Sequence, residues 1–181
     1  MDVFAHGLWG RAIFGGNSKS SRKKLAGFLG MAPDLFAFGP AIIAGLFTGD
    51  YSSWAIWPLD GIPKSSISAW SFYGYHVTHS LVVWCALAAA LWFWRKQFPW
   101  IFGASALHIL CDIPLHTLNY FPTPYLWPLP TPLHNGIHWA SSRFMLTNYA
   151  FLAATYLFLA FRKRRQSLRA HETAGQRLPH G

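Results

Sequence analysis

Two of the six acidic residues in this 181-residue chain, Asp34 and Asp112, fall inside long apolar runs, while Asp2, Asp50, Asp60 and Glu172 lie near the ends or in connecting segments. A carboxylate at the centre of a membrane span costs about 2.5 to 3.5 kcal/mol on insertion scales, so it comes with a partner or a function. Asp112 follows His108 by one helical turn in the run His108-Ile-Leu-Cys-Asp112. That spacing puts imidazole and carboxylate on one face and suits chelation of a single ion. His76 and His79 form a second helical pair if their helix begins early enough, and His116 continues the Asp112 face but lies beyond Pro114, where the helix is expected to end. Any one of these histidines alone reads as a packing or interfacial residue. Together with two carboxylates, and with no Lys or Arg inside the apolar runs to neutralise them, they call for a compensating cation, metal or proton. Imidazole and carboxylate suit zinc first, with manganese or iron next. Cys85 and Cys111 sit in apolar runs as small hydrophobes and supply no convergent thiolate set.

The elements that must position these groups are read from composition. Hydrophobic residues make up 52% of the chain and charged residues 12%, about half the roughly 25% of a soluble protein. The expected fold is all-α: a polytopic membrane helix bundle of about four transmembrane helices, with a short N-terminal interfacial or re-entrant helix over the first fifteen residues. The spans are expected at Leu25–Thr48, interrupted by Pro33 and Pro40 and so kinked, at His79–Trp94, at Phe98–Leu115 and at Phe144–Phe161. The net charge of +9 comes from short clusters between these runs: Arg22-Lys23-Lys24, Arg95-Lys96 and Arg162 to Arg165. This is the pattern of cytoplasmic membrane boundaries, not of a nucleic-acid surface. It places both termini in the cytoplasm and the segments Gly49–Tyr75 and Asn119–Ser142 on the other side, with Lys64 and Pro130 among them. Those outer segments are rich in Trp and Tyr, as interfacial segments are, and the second is proline-rich, which disfavours helix and suits a lid or rim. Residues 1–165 form one membrane-embedded domain, and residues 166–181 a polar tail expected to be disordered.

The order of His6, Pro33-Asp34, Thr78-His79-Ser80, His108-x-x-x-Asp112 and Leu126-Trp127-Pro128-Leu129 resembles the YdjM-like membrane-bound metal-dependent hydrolases, over most of residues 1–161. The resemblance implies a bacterial inner-membrane protein with His6, Asp34, His79, His108 and Asp112 as metal ligands. That family often carries His-Arg-Gly-x-Thr-His-Ser, where this chain has Gly74-Tyr75-His76-Val77-Thr78-His79-Ser80. Whether His76 substitutes for the missing histidine is open. The His-x-x-x-Asp helix is also similar to that of zinc-dependent phospholipases C, an analogy of local arrangement alone.

These readings combine into a metal-dependent hydrolase that acts on a lipid-like ester or phosphoester from within the bilayer, with Asp34 and His76 as candidate catalytic residues. The alternatives are a metal or proton transporter and a non-catalytic protein with a structural metal site. Against a transporter, Ala86–Trp94 has no polar side chain apart from aromatic tips, and Phe98–Leu107 has only Ser105. A through-pathway needs polar steps on that side.

Overall fold

The structure, a computed structural model, describes residues 1–16, 20–49, 68–97, 99–119 and 121–175. Six α-helices run through them: α1 (Val3–Phe14), α2 (Ser20–Thr48), α3 (Ala69–Thr78), α4 (Leu81–Arg95), α5 (Gly103–Asp112) and α6 (Ser142–Gly175). No strand occurs among the described residues, and the chain is an all-α bundle of apolar helices.

The bundle is organised around α2, which continues through Pro33 and Pro40. A proline lacks an N–H and so frees the carbonyl four residues earlier. In a bilayer that carbonyl must find another donor within the protein. Leu29 O, freed by Pro33, accepts from Ser105 Oγ of α5 at 2.7 Å. Phe36 O, freed by Pro40, accepts from Trp70 Nε1 of α3 at 3.1 Å. The two prolines thus mark the places where α5 and α3 attach.

Helix α1 is N-capped by Asp2, whose carboxylate accepts from Ala5 N at 3.0 Å, and it runs antiparallel along the first half of α2. The crossing is close because glycines face each other there. A Cβ on Gly30 would lie 2.5 Å from His6 O, and one on Gly10 would lie 2.8 Å from Ala26 O. This approach carries His6 into the interior, where Ala5, His6, Gly7 and Gly10 are buried. Met1 is buried too. Helix α6 packs outside α1 through Tyr156 OH, which donates to Leu8 O at 2.9 Å, and through Trp9 Nε1, which donates to Asn148 Oδ1 at 3.0 Å.

By length and apolarity α2 and α6 can each cross a membrane, and α3 with α4, bent by 60°, can make a third span. The expected crossing at Phe98–Leu115 is not a full span. Its helix is one 3-10 turn, Trp100–Phe102, followed by the ten-residue α5. At 1.5 Å per residue α5 is about 15 Å long, roughly half of a 30 Å hydrocarbon core. Pro99 precedes this helix and Pro114 follows it, and hydropathy alone does not register that limit. Helix α6, in turn, continues to Gly175, into the expected tail, because residues 162–173 are strong to moderate helix formers with no Pro or Gly. Residues 176–181 and 50–67, the latter including Lys64, lie outside the described residues.

At the α3–α4 break the backbone groups released by the bend are taken up by the proline-rich segment. Leu81 N donates to Tyr125 O at 2.8 Å. Ser80 caps α4 by accepting from Val83 N, and its hydroxyl donates to Trp127 O. Trp84 Nε1 donates to Thr78 O at 2.6 Å. The proline-rich segment is non-helical, as expected, and serves as a plug against this break.

Candidate metal centre

Four buried residues from three parts of the fold converge where α2 is crossed: Asp34 of α2, His79 at the α3–α4 break, and His108 and Asp112 of α5. Each offers one ligand atom, all within 4.8 Å of one another, so the group can hold a metal ion.

The tautomers of the two histidines follow from what their Nδ1 atoms touch. His108 Nδ1 lies 2.7 Å from Gly30 O. A carbonyl only accepts, so Nδ1 carries the proton. Thr78 Oγ1 donates its one proton to Gly74 O at 2.8 Å, which leaves that oxygen to accept from His79 Nδ1 at 3.1 Å. In the neutral rings both Nε2 atoms then present lone pairs, and these atoms face each other at 3.1 Å. Two lone pairs at that distance repel unless a cation lies between them. Orientation of a ligating imidazole through its other nitrogen is the usual support of a metal site.

The spacing is also that of a coordination shell. His79 Nε2 lies 3.4 Å from Asp34 Oδ1 and 3.7 Å from Asp112 Oδ2. His108 Nε2 lies 3.7 Å and 3.2 Å from the same two atoms. With bonds of 2.0–2.1 Å, the edge of a zinc tetrahedron is about 3.4 Å, in the middle of these values. Two carboxylates and two imidazoles form a set for zinc, manganese or iron.

Asp34 does not serve the carbonyl freed by Pro33, because Ser105 does. It is also the least enclosed of the four: its side chain is 10% exposed, against 0 to 1% for the others. The site is therefore least enclosed on the Asp34 side.

His6 reaches the same place from α1. Its ring stacks on His108 with centroids 3.5 Å apart, and Nε2 lies 3.0 Å from Asp112 Oδ1. It touches the opposite carboxylate oxygen from the one nearest His79 and His108, and it is not among the four convergent residues. His76 is not brought to the group. Its Nδ1 is 2.8 Å from Phe72 O and its ring packs on Phe72, because the helix ends at Thr78 and the bend sends His79 another way. His116, beyond Pro114, does return, with Nε2 3.6 Å from Asp112 Oδ2 and Nδ1 donating to Phe121 O at 2.7 Å. Sequence reasoning assigned no role to Tyr75, which stacks on His79 at 3.8 Å and donates to the same Phe121 O at 2.9 Å. Nor did it assign one to Ser105 or Thr78. Their signal was faint: a lone hydroxyl in an apolar run, and the residue before a motif histidine.

Compared with known protein families, with curated proteins and with solved structures, the chain gives no match.

Proposed function

We propose that this chain is a metal-dependent hydrolase of the inner membrane, acting on a lipid-like ester or phosphoester, with zinc as the first-choice ion. The observation that carries the reading is the buried donor set itself: two imidazoles with Nε2 turned inward and two carboxylates, their ligand atoms all within 4.8 Å of one another. A divalent ion held there lowers the pKa of water from 15.7 toward about 7 and polarises an ester or phosphoester oxygen.

The chain's own residues supply the rest. His79 and His108, fixed through Thr78 and Gly30, hold the donor geometry. Asp34, on the open side, accepts one proton from the attacking water as its oxygen bonds to the carbonyl carbon or phosphorus. The same proton then goes to the departing alkoxide as the ester bond breaks. A substrate with an apolar body suits a site between apolar helices, reached from the bilayer. The basic clusters at the start of α2, at the end of α4 and at residues 162–165 within α6 orient those boundaries toward the cytoplasm. Cysteines introduced at Lys96 and Pro130 then label from opposite sides.

The test of the activity is reconstitution of wild type and Asp34→Asn into liposomes of a broad lipid extract with each candidate metal, followed by mass spectrometry of the lipids. Metal-dependent products from wild type and none from folded Asp34→Asn are expected. No product, with metal flux across the same liposomes, favours a transporter.

A further inference from the structure

Asp112 presents its two oxygens to different partners. Oδ2 faces His79 and His108 of the convergent group. Oδ1 lies 3.0 Å from His6 Nε2, a fully buried nitrogen with no hydrogen-bond partner. The same oxygen already has a cation against it: the Met1 ammonium, 2.6 Å away and buried. That positive charge also acts on His6 and His116. His116 approaches Asp112 at Oδ2, with Nε2 3.6 Å away, and its Nδ1 proton is committed to Phe121 O. The carbonyl that orients it belongs to a residue held at φ +43°, in the left-handed region that side chains other than glycine rarely adopt. The backbone is turned there to aim one acceptor at both His116 and Tyr75.

We propose that Asp112 bridges two cations, and that His6 and His116 hold the second, a divalent metal ion for which the Met1 ammonium stands in. This rests on the reading of the convergent group as a metal site. The first ion has four protein donors, of which Asp34 lies on the least enclosed side. The second has two imidazoles and the carboxylate between them, His6 at Oδ1 and His116 at Oδ2, the three-donor pattern that leaves a position for water or substrate. Paired ions of this kind sit about 3.5–4 Å apart in hydrolytic centres and clamp both the attacking and the leaving oxygen.

The experiment uses the full chain in detergent, stripped of metal and titrated with Mn²⁺, with ions per chain counted by elemental analysis and coupling read by electron paramagnetic resonance. Wild type is expected to bind two ions with an exchange-coupled spectrum. His6→Ala and His116→Ala are expected to bind one, with an uncoupled six-line spectrum. His6→Asp and His116→Asp, which restore a ligand, regain the second ion, and they decide the matter if the alanine variants do not elute as a single species. A wild type that binds one ion, lost in His108→Ala but kept in His6→Ala and His116→Ala, overturns the second site and leaves the first standing. Two ions retained in all four variants at His6 and His116 overturn the assignment of the ligands. A wild type that binds none overturns both this inference and the metal reading beneath it.

Discussion

His79 and His108 meet Nε2 to Nε2 at 3.1 Å, each with its Nδ1 proton already given to an acceptor on another part of the fold. Neither ring can turn to donate to the other without breaking a buried hydrogen bond. The pair is therefore set for an ion before one arrives, and the cost of ordering the ligands is met in folding.

The first expectation concerns occupancy. Purified wild type retains near-stoichiometric zinc, manganese or iron. His108→Ala and Asp112→Ala each remove most of it, because one donor and one charge of a closed set are lost. His76→Ala leaves it unchanged, since that ring is engaged with Phe72. Elemental analysis of the folded proteins checks all three, and metal loss in His76→Ala would place that residue back in the site.

Thr78→Val tests the support behind the ligand. The substitution preserves shape and removes the oxygen that orients His79 Nδ1. Loss of such a partner typically weakens metal affinity by about 10- to 100-fold. Competition with a chromophoric chelator measures it, and an unchanged affinity would mean that stacking on Tyr75 alone holds the ring.

Much of the centre was legible in the sequence, and the reason is energetic. Asp34, His79, His108 and Asp112 stood out because ionisable groups inside apolar runs are costly and have to be accounted for. Helical spacing paired His108 with Asp112 correctly, since α5 is regular through both. The same logic failed for His76 and His79 because a 60° bend separates their helix from the next. It also left His116 open at Pro114, although the turn continues past that proline, His116 N donating to Asp112 O at 3.1 Å, and keeps the ring on the Asp112 face. The length of α5 was overread because hydropathy counts Pro99 and Pro114 within the run, although they bound its helix. The partners of Leu29 O and Phe36 O were invisible because they come from residues 76 and 34 positions away.

Those long-range partners give a stability test. Ser105→Ala leaves Leu29 O buried without its donor, a loss of about 1–3 kcal/mol. Pro33→Ala restores an N–H within α2 that can serve the same carbonyl. The cost of Ser105→Ala is therefore smaller in the Pro33→Ala background, and a double-mutant cycle of thermal unfolding in detergent reads the difference. Equal cost in both backgrounds would refute the pairing of that proline with that serine.

The glycine crossing gives another. Gly30→Ala puts a methyl against His6 O, where overpacking costs about 1–3 kcal/mol. It also pushes α1, and with it His6, away from His108. Gly39→Ala on the same helix meets nothing within 4 Å and gains up to about 1 kcal/mol in helix propensity. Melting temperatures of the two variants should move in opposite directions, and a parallel shift would show that the crossing is not tight.

Helix α1 begins and α5 stops where the centre lies, and neither is long enough to be handed to a bilayer alone. During synthesis the insertion machinery meets α2, the bent α3–α4 pair and α6 as its greasy segments. The two short helices follow as passengers that lodge against α2. Because His6, His108 and Asp112 ride on these passengers, the donors are brought together only when the passengers dock. An ion bound at the docked centre then holds the passengers in place, and a chain starved of metal should be the one that quality-control proteases find loosened.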